Sequence, residues 1–500
     1  MCAVATELFP CPMLIDGDWI DSKEIERVPV QNPSTGEVLS EMPMGGKAEI
    51  DAAVEAAKEA FPGWSQTPPV ERARLFYRYR SLLEENFDSI AELITREHGK
   101  TLGESRGGLY RGLENVEYAC GIPTLLFGDT IENLAAGIDC ETFFEPLGVC
   151  AGITPFNFPA MVPMWMFPLA LACGNTFVFK PSEMVPLSSI RIIELLVEAG
   201  LPKGVLNLVH GAVETVDAIL EHPDIKAVSF VGSTPVAKYI YETGTRHGKR
   251  VQANGSAKNY TIVMPDADIN KSVEGITGGA FGCAGERCMA SSTTIPVGEA
   301  AKELIPTLKL ATESVKIGPT DRMPQPDLGP VISSKHRDRV NSLIASGEVE
   351  GAKLLSDGRS VKVPEAPNGY YVGATLVDGV EQEMTLNREE VFGPVLNVMR
   401  ADNLEAALEI ANRSPFGNGT AIYTESGKLA REFKHRVKTG MVGINVAVPA
   451  SMAMFPFAGW NASFFGDLHV QGKEGVAFYT QQKVITSRWF AQGEGDVWRQ

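Results

Sequence analysis

The sequence contains few cysteines and no regular cysteine pattern. Its 500 residues include eight cysteines, and no two of them form a C-x-x-C pair. Cys283 and Cys288 have no second pair at matching spacing, which argues against a zinc site and against a disulfide framework. We therefore expect no bound metal and reduced thiols, as in a cytoplasmic protein.

Positive charge is also scarce. The formal net charge is −17, which argues against nucleic acid or an anionic membrane as the main partner. Residues 1–7 lack the basic start and apolar core of a signal peptide. A charge-free run covers residues 146–179, but a membrane-spanning helix is disfavoured because the run is broken by prolines, at Pro155, Pro159, Pro163 and Pro168. We read the run as a buried strand, a loop, a buried helix and a strand.

The G-x-G-x-x-G fingerprint of dinucleotide-binding proteins is absent, although the surrounding pattern is present. From residue 149 onwards, apolar strands alternate with amphipathic helices, which favours an α/β fold with a parallel, doubly wound sheet. The predicted strands are 149–153, 176–179, 205–209 and 227–231, and the predicted helices between them include 188–199 and 212–220.

A second block rich in strands and helices is predicted for about 260–444, with helices at 300–310, 335–346 and 403–412. Alternation around Ala136-Gly137 predicts a long hairpin over residues 129–144. Residues 475–486 are predicted to form a strand, which pairs either with this hairpin or with a partner subunit.

Cys288 is the most informative single residue. It lies among glycines and alanines in the segment 281–290, and Arg287 directly precedes it. Small neighbours give a carbonyl compound access to the sulfur, and a guanidinium favours the thiolate that attacks it. The alternative is a buried structural thiol, the commonest state of a cysteine.

The segment 251–258 lacks a carboxylate that could activate water. Together with Cys288, this absence points to an enzyme that forms a thioester on sulfur and passes the acyl group to another thiol. A thiol is a better nucleophile towards a thioester than water is.

Several polar residues follow predicted strands. Asn157 can donate a hydrogen bond to an oxyanion, or it can simply cap a loop. Lys180 and Glu183 can hold ribose hydroxyls, or they can form a solvated turn. Gly232 and Ser233 open a helix, which suits a pyrophosphate. Three further residues offer a ribose carboxylate and an aromatic ring near nicotinamide, and the segment around them is ambiguous alone: Glu389, Glu390 and Phe392.

In this order, the motifs resemble those of the aldehyde dehydrogenase superfamily along nearly the whole chain, from Ile15 to Trp489. The chain is most similar to the CoA-acylating methylmalonate-semialdehyde dehydrogenase branch. Four segments carry the closer resemblance: 110–114, 161–168, 285–290 and 463–469.

The resemblance implies a Rossmann-type cofactor domain, an α/β catalytic domain and a bridging β-hairpin. The implied NAD-binding domain covers 1–128 and 149–256, and the catalytic domain covers 257–445. Residues 129–148 and 466–490 form the bridging segment, which makes dimers and then tetramers.

The resemblance also implies residue roles. Cys288 is the nucleophile, and Asn157 with the Cys288 backbone N–H forms the oxyanion hole. Arg111 and Arg287 hold a substrate carboxylate, for which a planar guanidinium is well suited. NAD is favoured over NADP because Glu183 disfavours a 2′-phosphate. The implied cofactor contacts are Thr154, Phe156, Lys180, Glu183, Met184, Ser233, Gly255 and Glu390.

The implied reaction is oxidation of malonate or methylmalonate semialdehyde with decarboxylation, which gives acetyl-CoA or propionyl-CoA, carbon dioxide and NADH. Hydrolytic relatives carry a glutamate in the segment matching Ala253-Asn254, which this chain lacks. Coenzyme A is therefore the expected co-substrate. Four departures from the family pattern bear on substrate choice: Cys283, Tyr260, Met184 and Trp460-Asn461.

Three alternatives remain open at this stage. One is a hydrolytic aldehyde dehydrogenase that acts on a small anionic or neutral aldehyde and releases the free acid. Another is a thiol-dependent acyltransferase that makes no redox use of nicotinamide. The third is an inactive scaffold with an enzyme fold.

Overall fold

The structure is a computed structural model that describes residues 8–21 and 26–490. Residues 1–7, which carry the signal-peptide argument, lie outside the described residues, as do residues 22–25 of the predicted NAD-binding domain. Along the chain the strands are β1 (Met13–Ile15), β2 (Asp18–Ile20), β3 (Arg27–Gln31), β4 (Val38–Pro43), β5 (Thr130–Ala135), β6 (Ile138–Pro146), β7 (Val149–Ile153), β8 (Thr176–Lys180), β9 (Leu206–Leu208), β10 (Ile225–Val231), β11 (Arg250–Asn254), β12 (Tyr260–Val263), β13 (Thr293–Pro296), β14 (Lys353–Ser356), β15 (Thr375–Asp378), β16 (Val395–Val398), β17 (Phe416–Gly417), β18 (Gly419–Tyr423), β19 (Met441–Ile444), β20 (Trp460–Asn461), β21 (Phe464–Phe465) and β22 (Thr480–Arg488).

A short 3₁₀ turn, Gly282–Gly285, precedes the nucleophile segment. The α-helices are α1 (Lys47–Gln66), α2 (Pro69–Glu85), α3 (Phe87–His98), α4 (Leu102–Cys120), α5 (Ile122–Leu125), α6 (Met161–Ala172), α7 (Pro186–Glu198), α8 (Val213–Glu221), α9 (Thr234–Arg246), α10 (Ile269–Phe281), α11 (Ala300–Ser314), α12 (Ser334–Val349), α13 (Thr385–Arg388), α14 (Leu404–Asn412), α15 (Gly427–Arg436) and α16 (Gly472–Phe478).

The first large sheet has the strand order β2-β1-β9-β8-β7-β10-β11-β21. Its strands β9, β8, β7, β10 and β11 run parallel, and the strands predicted between 149 and 231 are confirmed as β7 to β10. One face packs against α1, α8 and α9 and the other against α6, so the strands are apolar on both faces.

The second large sheet has the order β14-β15-β16-β13-β12-β18-β19 and is parallel except for the edge strand β14. The three helices predicted in this block are confirmed as α11, α12 and α14. The two sheets have separate apolar cores. The predicted fold class, α/β with a doubly wound sheet, a second α/β unit and a hairpin, is confirmed.

The hairpin strands β5 and β6 form a small sheet with β22, in which Thr480 pairs with Pro146 and Arg488 with Ile138. The strand predicted for 475–486 is wrong over its first residues, because α16 extends to Phe478. The close packing of α16 on α6 explains the difference, since a Cβ on Gly475 would lie 2.9 Å from Leu169.

The charge-free run folds as predicted, into strand β7, buried helix α6 and strand β8. Pro163 and Pro168 lie within α6, which is buried along almost its whole length. No helix in the described part of the chain combines the length and the apolar character needed to cross a bilayer.

Candidate active site

Cys288 lies in the loop between α10 and β13. The loop enters through Gly285, whose φ is +71° and whose Cβ would lie 2.1 Å from the carbonyl oxygen of Gly393, so only glycine fits. Two side-chain amides, Asn259 Nδ2 and Asn418 Nδ2, donate to the Cys288 carbonyl at 2.9 and 3.0 Å. These asparagines position the nucleophile, and the sequence carried no signal for them because each simply precedes a strand.

The Cys288 thiol is half-buried, and its raised pKa keeps it protonated at neutral pH. Burial raises the pKa of Cys288 to about 12, and the carboxylate of Glu390 adds to the increase. The backbone N–H groups of Cys288 and Met289 lower the pKa, and Arg287 lowers it least. Arg287 thus acts in the expected direction, but burial outweighs it.

Asn157 is buried directly after β7 and reaches the nucleophile loop. Its Nδ2 donates to the carbonyl oxygen of Glu286 at 3.0 Å, two residues before Cys288. Its own carbonyl oxygen accepts from the buried Lys100 Nζ at 2.5 Å. Because an amide nitrogen carries two N–H donors, one remains for another acceptor. Asn157 and Cys288 line the same cavity, so the arrangement suits an oxyanion hole.

Cys288 lines two cavities. The strand-edge cavity has a volume of about 570 Å³ and is lined by, among others, Phe156, Asn157, Ser233, Gly255, Arg339 and Glu390. The α4 cavity has a volume of about 540 Å³ and is lined by, among others, Glu104, Arg111, Glu114, Met161, Phe457 and Arg287. Phe158 and Trp165 line both cavities. The sulfur is therefore accessible to a group in either cavity.

Strand register explains how distant candidate residues come together at one edge of the first sheet. Ile153 pairs with Lys180 and with Phe230, and Val231 pairs with Asn254. The segments that follow these four parallel strands therefore meet at the carboxyl edge, where α/β proteins bind ligands. The segments carry Thr154, Phe156, Glu183, Met184, Ser233 and Gly255.

Two glycines let the backbone approach its neighbours closely beside the strand-edge cavity. A Cβ at Gly232 would lie 2.3 Å from the Phe230 ring, and one at Gly255 would lie 2.7 Å from Thr234 Oγ1. Ser233 begins α9 and makes no side-chain capping hydrogen bond. A free hydroxyl and a helix N-terminus at the wall of a cavity fit the diphosphate of a dinucleotide.

Four of the predicted cofactor contacts lie at the same sheet edge but outside the lining of the strand-edge cavity: Thr154, Lys180, Glu183 and Met184. Lys180 is buried, and its Nζ lies 3.3 Å from Glu183 Oε2. Burial lowers the pKa of Lys180. Met184 is 37% exposed, so a hydrophobic side chain stands at the outer end of this edge.

Glu390 lines the strand-edge cavity. Burial raises its pKa to about 7, against the opposing effect of hydrogen bonds from Ala257 N–H, at 2.9 Å, and from Ser256. Arg339 donates to the Glu390 carbonyl at 3.0 Å and lies 3.6 Å from the exposed Glu389 carboxylate. Glu389 and Glu390 both line the strand-edge cavity with the sulfur, and Glu390, with its pKa of about 7, is the better candidate for the base of a hydrolytic reaction.

The two arginines predicted to hold a substrate carboxylate both line the α4 cavity. Arg111 Nη1 lies 2.7 Å from Glu114 Oε2, and Arg111 Nη2 donates to the Ser451 carbonyl at 2.5 Å. Arg287 Nη2 lies 3.6 Å from Glu104 Oε1. Each arginine therefore faces the cavity with a glutamate already beside it.

Asn254 stands at the end of β11, within the segment 251–258 that lacks a carboxylate. It is buried, and neither its Nδ2 nor its Oδ1 has a hydrogen-bond partner within the described chain. Ala253 points to the opposite side of the sheet, into the core with α1, α8 and α9. A side-chain amide has no titration near neutral pH, so Asn254 cannot deprotonate water.

The departures from the family pattern have definite places. Tyr260 is buried, and its hydroxyl donates to Asn387 Oδ1 at 3.0 Å. Cys283 is buried, and its backbone N–H donates to Glu104. Trp460 is 47% exposed and forms β20 with Asn461. Within the described residues, neither Trp460 nor Asn461 lines the two cavities.

A buried acid behind the nucleophile loop was not anticipated. Glu286 accepts from Ile332 N–H at 3.0 Å and lies 3.5 Å from His336 Nε2 and 3.9 Å from His98 Nε2. Burial raises the pKa of Glu286 well above its usual range and lowers the pKa of both histidines. Its carboxyl lines neither cavity, so it supports the loop from behind.

Known proteins share this architecture over nearly the whole chain. Residues 19–485 match the family model described as the aldehyde dehydrogenase family. Malonate-semialdehyde dehydrogenase 2 of Geobacillus kaustophilus is 51% identical over 475 residues, which cover 95% of this chain and 98% of the relative.

Two solved structures extend the comparison. The crystal structure of methylmalonate-semialdehyde dehydrogenase from Oceanimonas doudoroffii is 48% identical, with a TM-score of 0.94 over 96% of this chain and 99% of that one. The NAD+ complex of an aldehyde dehydrogenase from Bacillus cereus is 32% identical, with a TM-score of 0.91 over 96% of each chain.

Proposed function

The chain belongs to the aldehyde dehydrogenase family, and on that premise we propose that it is an NAD-dependent, CoA-acylating semialdehyde dehydrogenase. Its substrates are malonate semialdehyde and methylmalonate semialdehyde. The products are acetyl-CoA and propionyl-CoA respectively, with carbon dioxide and NADH. One observation carries the proposal: a cysteine lies between a cavity that fits a dinucleotide and a cavity that contains two arginines.

In the proposed reaction, Cys288 loses its thiol proton to solvent in the cavity, and the thiolate sulfur adds to the aldehyde carbonyl. Asn157 and the Cys288 backbone N–H bind the resulting oxyanion. NAD, held in the strand-edge cavity, supplies the hydride acceptor. The fit of this cavity rests on Gly232, Gly255 and the Ser233 hydroxyl at the start of α9, and Lys180, Glu183 and Glu390 are proposed to hold the riboses.

Arg111 and Arg287 are proposed to bind the carboxylate of the substrate from the α4 cavity. A thioester on Cys288 with a carboxylate at its β position can lose carbon dioxide, since the thioester carbonyl accepts the electron pair as an enolate. Asn157 then stabilises the enolate oxygen as it stabilised the first oxyanion, and the enolate carbon takes a proton from solvent to give the acetyl or propionyl thioester. The arginines therefore select the substrate, while Asn157 serves both chemical steps.

The acyl group is proposed to leave Cys288 for the thiol of coenzyme A. Asn254 cannot act as a general base, and a thiol attacks a thioester more readily than water does. A hydrolytic reaction that releases the free acid is the second candidate, and Glu390 supports it, because its pKa of about 7 suits a base near neutrality.

The test is product analysis by mass spectrometry. The enzyme is incubated with NAD and coenzyme A, and with malonate semialdehyde, methylmalonate semialdehyde or propanal. We expect acetyl-CoA and carbon dioxide from the first aldehyde and propionyl-CoA and carbon dioxide from the second. Free malonate or acetate as the main product would support the hydrolytic candidate.

The domain and assembly assignments are also proposals. We assign NAD binding to 1–128 and 149–256, catalysis to 257–445 and bridging to 129–148 with 466–490. The small sheet of β5, β6 and β22 supports a role in dimers or tetramers because it exposes apolar side chains, including Ile131, Phe143 and Val484. Light scattering of the full chain measures the assembly, and a monomer would contradict it. The sequence pattern of isolated cysteines supports a cytoplasmic enzyme.

A further inference from the structure

The α4 cavity contains two arginines and two glutamates, and their charges cancel. Glu104, Arg111, Glu114 and Arg287 all line it. A substrate that carries a carboxylate therefore enters a cavity in which each guanidinium already faces a negative charge. The two glutamates differ in how firmly they are held, and this difference suggests separate roles.

Glu104 is fixed by the backbone around it. Its Oε1 accepts from Cys283 N–H at 2.5 Å and lies 3.6 Å from Arg287 Nη2. Its Oε2 accepts from Thr101 N–H at 2.9 Å, in the capping box that begins α4. A carboxylate with two backbone donors cannot leave without exposing both of them, so Glu104 stays in place when a substrate arrives.

Glu114 is held only by Arg111. Among the described residues, Arg111 Nη1 is its hydrogen-bond and ion-pair partner, at 2.7 Å. The two residues are three positions apart on α4, where side chains meet and separate without movement of the helix. Arg111 is held independently by the Ser451 carbonyl, which accepts from Nη2 at 2.5 Å. The guanidinium therefore keeps its place when Glu114 moves away.

We propose that Glu114 is a specificity-determining residue that occupies Arg111 in place of the substrate carboxylate. The inference rests on the proposed function, in which Arg111 binds that carboxylate. The incoming carboxylate replaces Glu114 on Arg111 Nη1, and Glu114 returns after the carboxylate has left as carbon dioxide. Anionic acids without the reactive aldehyde must displace the same glutamate, so the cavity binds them weakly.

The experiment measures binding of malonate, an unreactive dicarboxylate, by calorimetry at low ionic strength. Glu114→Gln keeps an oxygen that accepts from Arg111 but removes the competing charge. We expect malonate to bind about tenfold more tightly to this variant than to the wild-type enzyme. Removal of one negative charge beside a bound anion in a partly buried site has an effect of about this size. The KM for malonate semialdehyde should fall as well, while the KM for propanal should not change.

Two controls separate charge from other effects. Glu117→Gln removes the same charge from the same helix, but Glu117 pairs with Arg80 at 2.8 Å and lies outside the cavity lining. Glu114→Asp shortens the side chain and keeps the charge. We expect both variants to bind malonate within about twofold of wild type, because Glu117 is an exposed charge that contributes little and Glu114→Asp keeps the competing charge.

Unchanged or weaker malonate binding in Glu114→Gln would overturn the inference, because Glu114 would then serve to position Arg111. An equal gain in Glu114→Asp would overturn it too, because charge would not be the cause. The proposed function fails separately, if wild-type enzyme forms no acyl-CoA from malonate semialdehyde. Thermal melting of each variant confirms that it is folded before binding is measured.

Discussion

The two cavities that meet at Cys288 are built by different means. The strand-edge cavity is built from loops that follow parallel strands, and its lining includes glycines and the start of α9. The α4 cavity uses charged side chains of α4 and Arg287 of the nucleophile loop, set against loops from the far end of the chain. The first construction suits a cofactor shared by a whole family, and the second allows the substrate to change while the chemistry at sulfur is retained.

The largest effect is expected where the two cavities meet. Cys288→Ala should reduce NADH formation by about a thousandfold or more, because no other cysteine in the described part of the chain lines either cavity. NAD binding, measured by calorimetry, should persist. Cys140→Ala is the matched control, since Cys140 lies on β6 and lines neither cavity. Equal losses in both variants would contradict the assignment of the nucleophile.

A second prediction tests the strand-edge side alone. Asn157→Ala should lower kcat by about a hundredfold to a thousandfold, because it removes one oxyanion donor. The KM for aldehyde should change little. Asn157→Asp has nearly the same shape but lacks the N–H donor, so it should be as slow as the alanine variant. Steady-state kinetics of NADH formation checks both, and a change in KM alone would show that Asn157 only shapes the cavity.

A third prediction tests the α4 side alone. Arg111→Lys keeps the charge but loses the planar pair of N–H groups that fits a carboxylate. The KM for malonate semialdehyde should rise about tenfold, and the KM for propanal should stay the same. An equal rise in the KM of both aldehydes would contradict the assignment of substrate selection to the α4 cavity. Arg111 would then act on a step that both aldehydes share and not on the substrate carboxylate.

The smallest predicted effect concerns the pH dependence of the thiol. With a pKa of about 12, Cys288 is thiolate in about one molecule in a thousand at pH 9. Because the charge of Glu390 raises that pKa, Glu390→Gln should lower it and speed alkylation by iodoacetamide severalfold at pH 9. Glu389→Gln is the control, as Glu389 is exposed and pairs with Arg339. Slower alkylation in the Glu390 variant would show that Glu390 lowers the pKa of Cys288 and does not raise it.

The strand-edge side was accessible to sequence reasoning, because its candidate residues directly follow apolar strands. The β7 and β10 segments place Asn157 and Ser233 at the carboxyl edge by strand register alone. The sequence predicts which residues lie at this edge of the sheet, but it does not predict which of them reach the cavity. Lys180 and Met184 were therefore grouped with residues that line the cavity beside Cys288, although they lie outside its lining. Which of these contacts NAD uses remains a prediction.

The α4 side was accessible only in part. Arg111 was selected by resemblance, but its partner Ser451 lies 340 residues further along the chain, and no local pattern joins them. The same holds for Asn418, which holds the Cys288 carbonyl from 130 residues away. The protonated state of the thiol was also missed, because burial depends on packing around the loop and not on the neighbouring Arg287.

The most direct test of the central claim is the time course of NADH formation with malonate semialdehyde and NAD, recorded with and without coenzyme A. Without coenzyme A, we expect a burst of about one NADH for each Cys288, followed by a much slower phase, because water cannot discharge the thioester. With coenzyme A, the fast rate should continue. A sustained rate without coenzyme A equal to the rate with it would contradict the account.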